Sequence, residues 1–133
     1  MQGIVRRGFL SLLAAAALIC EHPSLKAQTP PSSAELEAYS GLHAAVVSGG
    51  TAGIERLVRD GADINARDAF GRTPLMVAVY RRDDVTARVL IDLGANVNAL
   101  EYQSYDAITI AAVQNDAEML DLLIKAVMPS RLT

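Results

Sequence analysis

Apolar and polar positions divide this chain into three regimes. From Phe9 to Ile19 the residues are almost all apolar, behind Arg6 and Arg7. From Gln28 to Ser33 (QTPPSS) there is nothing to bury, and the Pro/Ser composition predicts an extended linker. Beyond it, apolar residues recur at helical spacing in short blocks broken by Gly, Asp and Asn. Val85, Val89, Leu90 and Leu93 mark the buried stripe of one helix. Met119, Leu120, Leu122, Leu123, Ile124 and Val127 mark a second, more apolar one. The blocks return at a fixed interval of 33 residues: Leu42, Leu75 and Ile108; Ala45, Ala78 and Ala111; Leu57, Leu90 and Leu123; Gly61 and Gly94; Asn65 and Asn98. A period of this length predicts an all-α repeat, a solenoid of helix-turn-helix units that bury their faces only against neighbours.

Punctuation inside the period agrees with helices. Thr73-Pro74 suits a helix start, because Thr can cap and Pro at the first helical position lacks only an N–H that would be unsatisfied anyway. Asp83 or Asp84 suits the start of the next helix. Gly61 and Gly94 follow the second helices, where a left-handed residue ends a helix cheaply. Between the paired helices stand Gly49, Arg82 and Asn115. Arg tolerates a left-handed backbone poorly, at a cost of roughly 1 kcal/mol, so the inner turn of the middle unit is expected to be strained or to take another form.

Residues Asp68, Gly71, Thr73-Pro74-Leu75, Ala78 and Gly94-Ala95-Asn96-Val97-Asn98-Ala99 together resemble the ankyrin repeat family, whose unit reads D-x-x-G-x-T-P-L-H-x-A and closes with G-A-D-x-N-A. A first copy keeps Leu42-His43, Ala45, Leu57 and Gly61-Ala62-Asp63-Ile64-Asn65-Ala66; a degenerate third keeps Ile108 and Ala111-Ala112. The resemblance implies a domain over 34–133 with repeats at about 35–67, 68–100 and 101–128, joined by short β-hairpin loops. Glu35 to Gly41 lacks the Gly and Pro of the family's turn, so the first repeat is expected to begin as a helix without a leading hairpin.

The resemblance also implies a non-catalytic module that grips another protein through hairpin tips and inner helices. The positions left free for this are Tyr39, Val47 and Ser48 in the first repeat; Ala69, Phe70, Arg72, Tyr80 and Arg81 in the second; and Tyr102, Gln103, Tyr105, Val113 and Gln114 in the third. Phe70, Arg72, Tyr80, Arg81, Tyr102, Gln103, Tyr105 and Gln114 form the expected contact set. All five aromatics after the leader fall on such positions, and aromatics and Arg are enriched where binding energy concentrates. A second reading makes the chain an assembly subunit that self-associates, or docks to a larger complex, through its apolar last helix. Either residues 128–133 (MPSRLT) fold back over that helix, or the end is a contact surface.

Charge and chemistry narrow the picture. The 133 residues carry a net charge of −3, and outside the first 27 there are 9 basic residues against 14 acidic. An acidic chain without a basic run does not suit nucleic acid, whose binding rests on neutralising phosphates. The one cysteine, Cys20, lies in the leader, leaving no disulfide, thiol nucleophile or Cys-based metal site in the body. His43 sits in the family's L-H slot as a structural hydrogen-bonding residue, and nothing at a suitable spacing would make it a base. Ser48-Gly49-Gly50-Thr51-Ala52-Gly53 lacks the Lys and the strand of a phosphate loop. No cofactor, metal site or catalytic residue is expected.

Residues 1–27 describe a secretory signal peptide: a basic start, a short apolar run and a small residue, Ala27, at the expected cleavage point. The run is shorter than the roughly 20 residues that span a bilayer, so no stable membrane span is expected after cleavage. Arg6-Arg7-Gly8-Phe9-Leu10 resembles a bacterial twin-arginine signal, departing from its fullest form at Val5 and Ser11. This predicts a periplasmic or secreted protein. Retention of the leader as an anchor is the alternative; lipidation of Cys20 is disfavoured by Ile19, where a small residue is needed.

Overall fold

The computed structural model describes residues 29–128, and the leader readings at Arg6, Arg7, Cys20 and Ala27 lie outside them. Seven helices occur among the described residues: α1 Ser33–Ala38, α2 Gly41–Ser48, α3 Thr51–Arg59, α4 Pro74–Tyr80, α5 Asp84–Asp92, α6 Ala107–Val113 and α7 Ala117–Val127. The helices pair as α2/α3, α4/α5 and α6/α7, and like helices stack in two rows, α2-α4-α6 inside and α3-α5-α7 outside. Each repeat therefore touches only its neighbours, as an all-α solenoid requires.

Short polar side chains start these helices. Thr73 Oγ1 accepts from the Met76 amide at 3.3 Å with Pro74 at the first helical position. Asp83, Asp106 and Asp116 cap α5, α6 and α7 by accepting from residues three ahead. Such a cap contributes about 1 kcal/mol by satisfying a donor that the helix leaves open. Ser32 caps α1, its amide donating to Glu35 Oε2 at 2.7 Å and its hydroxyl accepting from the Glu35 amide. The helix thus begins inside the expected linker: Ser32 and Ser33 belong to the folded body. The first repeat is led in by this helix, with no hairpin before it among the described residues.

The core runs along the seam between the rows. Leu42, Val46, Ile54, Leu75, Met76, Val77, Val79, Leu90, Ile110, Met119 and Leu123 are all buried. In α4 every residue from Pro74 to Val79 is buried, because repeats press on it from both sides. Burial of a single Leu or Ile contributes about 2 kcal/mol, so the middle repeat carries much of the stability. Ala78 and Ala111 are fully buried where helices approach closely. In α5 the buried residues are Thr86, Ala87 and Leu90, while Val85 is 67% exposed. The phase of α5 is set by its Asp83 cap, which also accepts from the Thr86 hydroxyl at 2.7 Å, so a Thr is turned inward and Val85 outward.

The inner turns share one geometry whatever residue occupies them. Gly49, Arg82 and Asn115 have φ of 71°, 56° and 56°. Arg82 therefore carries the expected strain, offset by its guanidinium donating across to the Gln114 carbonyl at 2.7 Å. The hairpin loops hold no strand among the described residues. Each tip is a turn closed by a backbone bond, Asp68 N–H to Arg72 O at 3.0 Å and Glu101 N–H to Tyr105 O at 3.0 Å, too short a pairing for a ladder.

Candidate functional site

The 33-residue period stacks like positions into columns. One runs Glu35, Asp68, Glu101; another runs Tyr39, Arg72, Tyr105. Where the columns meet, Arg72 is only 2% exposed and fully engaged. Its Nε donates to Asp68 Oδ2 at 2.7 Å, Nη2 to Glu35 Oε1 at 2.6 Å and Nη1 to the Thr29 carbonyl at 3.1 Å. Its guanidinium carbon lies 4.6 Å from the centre of the Phe70 ring. This corrects the expectation that Arg72 is free to meet a partner. A cation at a nearly dry position needs compensating carboxylates, and Asp68 and Glu35 supply them from within the chain.

Asp68 in turn accepts the Tyr39 hydroxyl at 2.6 Å and the Phe70 and Arg72 amides at 2.9 and 2.8 Å. Burial pushes its pKa up, but hydrogen bonds from Tyr39, Arg72 and Phe70 outweigh this and leave it lowered. Hydrogen bonding by Ser32, assisted by Arg72, lowers that of Glu35. Burial, and then the bond to Asp68, push the Tyr39 phenol up. His43 is buried and its Nε2–H donates to the Arg72 carbonyl at 2.9 Å; a carbonyl only accepts, which fixes the tautomer. The His43 and Tyr39 rings lie 5.1 Å apart. Around this network a cleft of about 300 Å³ opens between α1 and the second tip, with Ala38, Tyr39, Ala69 and Phe70 among its walls.

The rest of the expected contact set divides in two. At the tips, Phe70 is 48% and Tyr102 69% exposed, joined by Leu100 at 50%. They are held firmly. The Tyr102 amide donates to the Phe70 carbonyl at 3.1 Å, and the Tyr102 ring lies so close over Gly71 that an added Cβ would sit 2.5 Å from its Cδ1. Arg67 donates to the Gly71 and Leu100 carbonyls, tying the two tips together. Gln103 is exposed beside Tyr102 and makes an interaction of its own.

On the inner helices the side chains serve the stack first. Arg81 is exposed and reaches back to the Val47 carbonyl at 3.2 Å; Gln114 donates to the Tyr80 carbonyl at 3.0 Å. Tyr39, Tyr80 and Tyr105 are partly buried against the core. The expectation that all five aromatics stand clear of the core is therefore corrected: three are shared with packing, because a phenol ring is large enough to seal the seam between repeats while its hydroxyl stays at the edge. Burial, then the charge of Glu101, raise the Tyr80 pKa. Position within the repeat does not reveal the Tyr39–Asp68–Arg72–Glu35 network. Its trace in the sequence is the acidic column at 35, 68 and 101, beside a lone Arg in a column of Tyr.

A stack of helical pairs with tight, mutually bonded tips defines a repeat scaffold. The family description "Ankyrin repeats (3 copies)" matches residues 42–130, and the chain belongs to that family. It is 33% identical over 85 residues to inversin of Danio rerio (64% of this chain, 8% of that protein). It is 34% identical over 96 residues to mitochondrial disaggregase of Bos taurus (72% and 13%), and 36% identical over 86 residues to a putative ankyrin repeat-containing protein of Treponema pallidum (65% and 29%). The chain thus spans less than a third of each of these relatives. Ankyrin repeats are generally protein-interaction modules and typically non-catalytic.

Proposed function

We propose that this chain is an exported, non-catalytic protein-binding module that grips its partner with the tips of the second and third repeats and the adjoining inner helices. The observation that carries this reading is the exposed cluster of Phe70, Leu100 and Tyr102 on two tips bonded to each other. Exposed aromatics held rigidly give contact area with little ordering cost, the usual make-up of a binding hot spot. Tyr80, Arg81, Gln103, Tyr105 and Gln114 extend the surface along the inner helices and the third tip, while Arg72 supports it from beneath through Phe70. The sequence of the leader, Arg6-Arg7 with the apolar run to Ile19 and Ala27, supports export to the periplasm or beyond.

A photo-reactive residue at position 70 or 102, introduced in the native cell, tests the surface. Cross-links to one partner from both positions, and none from the outer-face position 85, are expected. A partner captured equally from position 85 would refute the placement. For export, Arg6-Arg7→Lys-Lys should leave precursor in the cytoplasm, and unaffected export would exclude the twin-arginine route.

A further inference from the structure

We propose that Glu101, at the base of the third tip, is the receptor for an arginine side chain of the partner. This rests on the binding-face reading above and adds the chemistry that the face recognises. Glu101 stands one repeat after Asp68 and two after Glu35 in the acidic column. It is 6% exposed, and among the described residues no ion pair reaches it. The one guanidinium in the neighbouring column is fully engaged elsewhere: Arg72 gives its Nε to Asp68, its Nη2 to Glu35 and its Nη1 to the Thr29 carbonyl. Position 105, which follows Glu101 as Arg72 follows Asp68, holds Tyr. The turn is otherwise alike. Glu101 Oε1 accepts the Tyr105 amide at 3.0 Å, as Asp68 Oδ1 accepts the Arg72 amide at 2.8 Å. What Glu101 lacks among the described residues is therefore a countercharge and not a hydrogen bond.

A carboxylate kept from water without a counter-ion destabilises the fold, and an arriving cation reverses that penalty. The chain itself shows what surrounds a cation at this register. Arg72 has two carboxylates, a carbonyl and the Phe70 ring, 4.6 Å from its guanidinium carbon. Beside Glu101 stand the partly buried rings of Tyr80 and Tyr105. The Glu101 charge reaches Tyr80, where it is the largest cause after burial of the raised phenol pKa. A tyrosine face stacks on a planar guanidinium better than on a compact ammonium, which selects arginine over lysine. Tyr102, Gln103 and Ser104 cross the tip directly after Glu101 and are exposed. A partner laid on the tip therefore closes over Glu101 and excludes water, the condition under which a charge pair is strongest.

Titration of N-acetyl-arginine amide into the isotope-labelled full chain, followed by amide chemical shifts, tests this, with the lysine and glutamine amides for comparison. The expected result is saturable shifts over residues 101–105 at roughly 1–10 mM, weaker for lysine and absent for glutamine. Glu101→Gln keeps an acceptor for the Tyr105 amide and removes only the charge. It should weaken the arginine probe by roughly tenfold or more and melt no lower than the parent. Arginine binding unchanged in Glu101→Gln overturns the proposal, as does a glutamine probe that binds as well as arginine. A variant that melts well below the parent also overturns it and makes Glu101 a brace of the tip. Arginine binding that emerges only with Arg131→Ala overturns it too, and assigns the countercharge to the chain itself. Cross-linking separates this from the reading beneath it. Partner cross-links from positions 70 and 102 that persist undiminished in Glu101→Gln overturn the receptor and leave the binding face standing. Arginine binding without cross-links from those positions refutes the face while the arginine site stands.

Discussion

Replacing Arg72 by Met tests the network that joins the first two repeats. The guanidinium is nearly inaccessible, and its more buried partner Asp68 has a side chain only 6% exposed. Breaking a buried pair by removing one member typically costs 3–5 kcal/mol, because the other charge is left dry and unmatched. Asp68 would keep the Tyr39 hydroxyl and the amides of Phe70 and of residue 72, which brings the cost to about 2 kcal/mol. Glu35, 27% exposed, returns to water, and losing its contact adds no more than about 1 kcal/mol. A total near 3 kcal/mol is a large part of the roughly 5–15 kcal/mol that holds a small domain. With a urea slope of about 1.5 kcal/mol per M, the unfolding midpoint should fall by about 2 M. In the double variant Asp68→Asn/Arg72→Met the dry charge is gone, and the loss should be at least 1 kcal/mol smaller than the sum of the two single losses. A midpoint shift under about 0.5 M for Arg72→Met, or strict additivity of the two substitutions, would show that the network does not hold the repeats together.

The same groups set the pH dependence. Glu35 and Asp68 titrate below their ordinary values of 4.5 and 3.8, so the stability they contribute is complete at neutral pH and disappears as pH falls below about 4. Tyr39 and Tyr80 are raised above 10.0; their contribution is complete below about pH 10 and is lost on further alkalinisation, more gently in Tyr39→Phe. Urea titrations from acid to alkaline pH check both limbs, and an acid limb unchanged in Arg72→Met would contradict the assignment. Gly71→Ala should cost at least about 2 kcal/mol, since φ is +79° and the added methyl would strike the Tyr102 ring; thermal melts, with Tyr102→Ala as the relieving partner, measure it. Arg82→Asn should raise stability by several tenths of a kcal/mol, because Asn tolerates φ of 56° better and the lost bond to Gln114 O is exposed; a lower melting temperature would show that the bond outweighs the strain.

The period was open to reading because each repeat solves the same packing problem locally. Leu75 and Ala78 are buried for the same reason as Leu42 and Ala111, and the caps at Thr73 and Asp83 act within three residues of where they stand. The contact surface was less open. Position in the repeat says that a side chain lies at a tip or on an inner helix. It does not say whether a neighbouring repeat has already claimed it. Phe70 and Tyr102 stand out in the solvent, whereas Tyr80, Tyr105 and Gln114, equally free by position, are partly used by the stack.

Sequence alone determined the all-α solenoid and its 33-residue period, because these depend on spacing and on interactions within one unit. Tertiary structure alone decided the fate of Arg72. The residues that neutralise it, Glu35 and Asp68, and the Thr29 carbonyl that binds it, lie 37, 4 and 43 positions away. Only stacking brings them to one point, and burial there turns an expected contact residue into the pin that fastens the amino-terminal helix to the middle repeat.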